Sequence, residues 1–132
     1  MNNNELIDLA NAAKNKSYSP YSKFRVGAAL LTKDGKVFQG ANIENAAYGV
    51  TICAERTAAF AAKLDGNDEF LAIAIASDSK DYITPCGACR QVLMELCGED
   101  LDVIVTNGNG DVKSFKLNEL LPFSFGDKNL NS

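Results

Sequence analysis

Two cysteine elements govern what this chain can fold into: Cys53-Ala54-Glu55 and Pro85-Cys86-Gly87-Ala88-Cys89, each at the head of a helix-prone segment. Between them lie an alanine-rich stretch up to Leu64, the turn signal Asp65-Gly66-Asn67 and an apolar run from Phe70 to Ala76. A helix of about 12 residues advances about 18 Å and a strand of about 7 residues comes back about 23 Å, so the chain returns to the end it left. Both cysteine elements are then expected at one end of a sheet, where sites in layered α/β folds lie.

The remaining pattern supplies the layers. Leu6, Ile7, Leu9, Ala10 and Ala13 predict an amphipathic helix over about residues 5–16, ended before Ser19-Pro20. Residues 24–32 and 36–40 flank Lys33-Asp34-Gly35, a hairpin signal. Residues 70–76 read as a strand covered on both faces. A helix over 87–97 closes at Gly98, strands follow over 101–106 and 112–116, and a short helix over 117–121 stops at Pro122. This order predicts an α/β fold with one mixed sheet of about five strands. With 132 residues, residues 1–132 are expected to form a single domain.

Charge narrows the partners. The net charge of -4, from 13 basic and 17 acidic residues, and the scatter of Lys and Arg exclude a nucleic-acid backbone or an anionic membrane as partner. The first residues carry no basic, apolar leader pattern, and the longest apolar run, Leu71 to Ala76, is too short for a bilayer. A soluble, cytoplasmic protein is expected. In that setting four cysteines read as free thiols, ligands or catalysts rather than disulfides.

The chain has no histidine, so metal and proton chemistry fall to thiols and carboxylates. Cys53, Cys86 and Cys89 offer three thiolates at helix N-termini, where N–H groups and the dipole favour the ionised sulfur. Three protein ligands and one position left for water describe a catalytic zinc site. Three thiolates make such a site net negative, and either Arg56, one turn after Cys53, or Arg90, next to Cys89, can offset that charge, with Arg56 preferred. Glu55 is placed to carry protons rather than to bind metal. Taken alone, Cys86-x-x-Cys89 reads equally well as structural zinc or a redox pair. Cys97, the one cysteine outside the set, falls about two turns beyond Cys89 and reads as a core thiol.

These motifs resemble the homotetrameric, three-cysteine class of cytidine deaminases. The resemblance rests on Cys53 to Ala58 and Pro85 to Val92, with Tyr18-Ser19-Pro20-Tyr21-Ser22-Lys23-Phe24, Val26 to Leu30, Asn42 to Tyr48 and Leu120-Leu121-Pro122 in support. It implies a three-layer sandwich with the mixed sheet flanked by helices, and one zinc per chain on Cys53, Cys86 and Cys89. Glu55 would be the proton shuttle for water attack at C4. Asn42 and Glu44 would bind the ribose hydroxyls, Phe24 would pack near the nucleoside, and Ala54 would offer its backbone to the base. Tyr48 and Phe125 would contribute across subunit boundaries in a homotetramer with shared active sites, Phe125 being chosen over its neighbour Phe123. The implied reaction is hydrolysis of cytidine and 2'-deoxycytidine to the uridines and ammonia, a step of pyrimidine salvage. Two alternatives stay open: a deaminase of another aminopyrimidine nucleoside, and a structural zinc module.

Overall fold

The Asn2 side chain accepts the Glu5 N–H at 2.9 Å and caps α1 (Asn3–Lys14), starting the helix earlier than its apolar spacing predicts. Leu6, Ile7, Ala10 and Ala13 form its buried stripe. The computed structural model describes residues 1–130. The predicted hairpin is β1 (Val26–Thr32) and β2 (Val37–Ala41), turning at Gly35, whose φ of +94° suits glycine. Strand β1 starts at Val26 rather than Phe24. Lys23 takes a left-handed φ of +61°, and the Asn42 side chain stands in for a ladder partner, Nδ2 donating to Phe24 O at 2.8 Å and Oδ1 accepting Val26 N–H at 2.9 Å.

The chain continues through α2 (Ala54–Leu64), β3 (Phe70–Ser77), α3 (Gly87–Cys97), β4 (Asp102–Thr106), β5 (Val112–Lys116) and α4 (Leu117–Leu120). A 3-10 turn at Tyr48–Val50 and a final short helix α5 (Asp127–Leu130) were not anticipated from the sequence, since neither has apolar periodicity.

The sheet order is β2-β1-β3-β4-β5. Only β3 and β4 pair in parallel: helix α3 joins these two neighbours, whereas α2 joins β2 to β3 across the intervening β1. Alternation sorts the side chains by face. Ala28, Leu30, Ile73, Ile75, Val103 and Val105 face α2 and α3; Ala29, Leu31, Ala72, Ala74 and Ile104 face α1. The result is the expected three-layer sandwich, and each large aliphatic so buried contributes about 1.5–3 kcal/mol.

Two glycines set the layer spacing. A Cβ at Gly27 would sit 2.1 Å from the Ala10 carbonyl oxygen, so α1 lies directly on β1. A Cβ at Gly40 would sit 2.4 Å from the Ala54 carbonyl oxygen and 2.5 Å from the Ala58 nitrogen. Gly40 therefore lets β2 press against the first turn of α2, the turn that carries Cys53 and Glu55.

Candidate active site

Helix α2 packs on β1 and β2, α3 starts just beyond the loop that follows β3, and both N-termini meet beside Ile75 near the C-terminal end of that strand. Cys53 is the N-cap of α2 and Cys86 the N-cap of α3, with Cys89 in the first turn of α3. Their sulfurs all lie within 4.8 Å of one another, Cys53 to Cys86 at 3.8 Å and Cys86 to Cys89 at 3.4 Å. Tetrahedral zinc with Zn–S bonds of about 2.3 Å requires sulfurs about 3.8 Å apart, so the donor set fits that ion. Among the described residues Cys97 is not part of this cluster. It sits half-buried against the core at the far end of α3, and burial pushes its thiol up to about 12. Three thiols without a fourth leave a coordination position open.

Arg56 meets the sulfur cluster from the same helix. Its Nη2 donates to the Cys53 sulfur at 3.5 Å, while its Nε is buried without a partner among the described residues. The Cys53 thiol is pulled down because Cys89 donates to it and Arg56 lies beside it. Cys89 is held far above the thiol range by the same bond and by burial. The structure assigns Arg90 elsewhere: it donates to Pro85 O at 2.7 Å, Leu120 O at 2.6 Å and Thr84 Oγ1 at 2.8 Å. Arg90 thus braces the loop before Cys86 instead of meeting sulfur.

Glu55, in the first turn of α2, is 5% exposed, and burial raises its carboxyl to about 7. It opens with Cys53, Ala54 and Cys86 onto a cavity of about 260 Å³, near the lower end of small-molecule sites. Phe24, Asn42 and Glu44 line the other side. Asn42 accepts twice at Oδ1, from Val26 N–H at 2.9 Å and Ser17 Oγ–H at 2.5 Å, and donates to Phe24 O. Glu44 Oε1 accepts the Tyr21 and Ser22 N–H groups, both at 3.0 Å, and Oε2 accepts the Ser22 hydroxyl. These bonds, the Ser22 hydroxyl foremost, lower the Glu44 carboxyl below its usual range.

Of the residues singled out from sequence, the structure brings together Cys53, Cys86, Cys89, Glu55, Arg56, Phe24, Asn42, Glu44 and Ala54. Tyr48 and Phe125 stand outside this cavity. Tyr48 is 73% exposed and meets Tyr21 edge to face at 6.2 Å. Phe125 is 57% exposed and lies beside Met94 and Glu95 of α3, its carbonyl taking a 3.0 Å bond from Gln91 Nε2. Phe123 points fully into solvent with φ of +54°. Sequence reasoning gave no role to Ser22, Thr51, Ile52 or Thr84, which also line the cavity. Ser22 lies within the segment Tyr18 to Phe24, and its place between Pro20 and Phe24 is the available signal.

Residues 1–106 match the family described as the cytidine and deoxycytidylate deaminase zinc-binding region. The chain is 50% identical to a cytidine deaminase of Halalkalibacterium halodurans over 131 residues, 99% of each chain. It is 46% identical to one from Sporosarcina psychrophila, covering 96% of this chain and 93% of that one. Among solved structures, cytidine deaminase from Burkholderia pseudomallei superposes with a TM-score of 0.92 at 51% identity, over 95% of this chain and 100% of the other. That from Mycobacterium tuberculosis gives 0.84 at 39% identity, over 96% and 98%.

Proposed function

This chain belongs to the cytidine and deoxycytidylate deaminase family, and on that premise we propose that it hydrolyses cytidine and 2'-deoxycytidine to the corresponding uridines and ammonia. The observation that carries the reading is the three-sulfur cluster opening, together with buried Glu55, onto a nucleoside-sized cavity. A zinc on Cys53, Cys86 and Cys89 supplies, when bound, the Lewis acidity that brings the pKa of a water toward neutrality.

The chain's own groups do the rest. Water must add at C4 of the base, N3 must gain a proton, and the amino group must gain another before the C4–N bond breaks and ammonia leaves. Glu55 is one carboxylate that can carry both protons from the attacking water, since it faces the cavity without being needed as a ligand. Arg56 neutralises thiolate charge, and Ala54, at the first turn of α2, turns backbone toward the base. Phe24 covers the pyrimidine.

Sugar recognition follows from what Asn42 and Glu44 have left over. Asn42 Oδ1 is saturated and one of its amide hydrogens is committed, so it offers one N–H. Glu44 offers one acceptor position on Oε2. A donor beside an acceptor suits one secondary hydroxyl, which ribose and 2'-deoxyribose both present.

Residues 1–132 act as one catalytic domain within a cytoplasmic homotetramer serving pyrimidine salvage, in which Tyr48 and Phe125 complete a neighbour's cavity. Their exposure, and their standing outside the lining of their own chain's cavity, support this. No helix among the described residues is long and apolar enough to cross a membrane. The test is purified protein given cytidine and, separately, 2'-deoxycytidine, with zinc, ammonia and the loss of substrate absorbance measured on the same preparation. Near one zinc per chain and ammonia equal to uridine formed are expected; bound zinc with no deamination of either nucleoside would overturn the reading.

A further inference from the structure

We propose that Ser22 is the positioning residue that aims Glu44 at the sugar. The proposal rests on the reading of Glu44 as a sugar contact. Ser22 is exposed, on the turn between Pro20 and Phe24, so core packing does not explain it. Its N–H and its hydroxyl are directed at two residues of the cavity wall. Its hydroxyl donates to Glu44 Oε2, its N–H donates to Glu44 Oε1 at 3.0 Å, and its Oγ accepts the Phe24 N–H at 3.0 Å.

Each bond has a physical consequence. Glu44 sits on a loop with its neighbours Ile43 and Asn45 exposed, and a carboxylate there rotates freely unless held. The Tyr21 and Ser22 N–H groups fix Oε1, but the Ser22 hydroxyl alone among the described residues fixes Oε2, the oxygen left with a vacant acceptor position. Removing it would leave that oxygen's direction set by water. The Phe24 N–H donates to the same hydroxyl at 3.0 Å across Lys23, whose φ is +61°, so the turn holds the Ser22 side chain in the place from which it reaches Glu44. Ser22 itself lines the cavity.

The experiment uses the zinc-loaded enzyme and four variants: Ser22→Ala, Ser22→Thr, Glu44→Ala, and Ser22→Ala with Glu44→Ala. Loss of one bond to a charged group predicts that Ser22→Ala raises KM for cytidine about tenfold with kcat within about twofold and zinc unchanged. Ser22→Thr, which keeps the hydroxyl, should restore KM. Glu44→Ala should raise KM further, and the double variant should match Glu44→Ala alone, because a residue acting through Glu44 adds nothing once Glu44 is gone. If Glu44→Ala leaves KM unchanged, the sugar-contact reading fails. If Glu44→Ala raises KM but Ser22→Ala does not, or if the two effects multiply in the double variant, the Ser22 proposal fails while that reading stands.

Discussion

The Arg56 guanidinium meets the Cys53 sulfur across one turn of α2, Nη2 to Sγ at 3.5 Å. Three thiolates on a divalent ion leave one negative charge in excess, which opposes ionisation of a bound water. Arg56→Gln should therefore keep zinc and lower kcat by about tenfold, the equivalent of one charge-assisted bond. Metal content and steady-state kinetics on the same preparation check it, and unchanged kcat would move the charge balance to the helix N-termini.

Glu55→Gln preserves shape in a buried position but cannot take up a proton. Zinc should stay and kcat should fall at least about 10²-fold. A variant with near-normal turnover would remove Glu55 from proton transfer.

Cys86→Ala or Cys89→Ala should lose zinc and activity together, because two thiols do not hold the ion in this geometry. Cys97→Ala should keep both and cost on the order of 1 kcal/mol in stability, as expected for one small, partly buried core side chain. Zinc loss from the Cys97 variant would mean a closed, structural site.

Much of this was legible in the sequence because periodicity and turn chemistry agree. Asp34-Gly35 fixed the hairpin, the apolar run from Phe70 to Ala76 required cover on both faces, and helix–strand–helix lengths sufficed to bring Cys53 to Cys86. What stayed hidden depends on side chains that reach across the chain. Proximity in sequence made Arg90 a candidate partner for Cys89, yet its guanidinium turns to the Leu120 carbonyl, thirty residues on. Residues 24 and 25 looked like strand, but Asn42 bonds to the backbone on both sides of Arg25 and bends the segment off the ladder. Which of Glu44's oxygens is spent, and on what, has no one-dimensional signature at all.

Asp78, just past the end of β3, gathers Arg25 Nε at 2.9 Å and Lys14 Nζ at 3.3 Å. The Arg25 bond is the main reason that its carboxyl falls from 3.8 to about 2. A lowered carboxylate contributes stability that is fully present above the unfolded pKa and is lost as pH falls through the folded one, here between about 4 and 2. Asp78→Asn should melt about 3 °C lower near neutral pH, since solvent screening limits these part-exposed pairs to about 1 kcal/mol. The gap from wild type should close as pH drops through that window. A gap independent of pH would mean that the ion pairs do not set it.

The last expectation concerns assembly. Arg90 and Gln91, directly after Cys89, hold the Leu120 and Phe125 carbonyls at 2.6 and 3.0 Å, so the C-terminal segment is fastened to the helix that carries two of the sulfurs. Phe125 nevertheless leaves its ring in solvent, outside the cavity of its own chain. In a homotetramer such a ring can roof a neighbour's base, an aromatic contact contributing roughly 0.5 to 1.5 kcal/mol beyond its buried area. Phe125→Ala should raise KM up to about tenfold with zinc intact. Mixing Phe125→Ala with Glu55→Gln subunits under exchange conditions should recover activity, because some cavities then receive an intact Glu55 from one chain and an intact Phe125 from another. Sedimentation of a fully active monomer, or no recovery after proven subunit exchange, would show that each chain works alone.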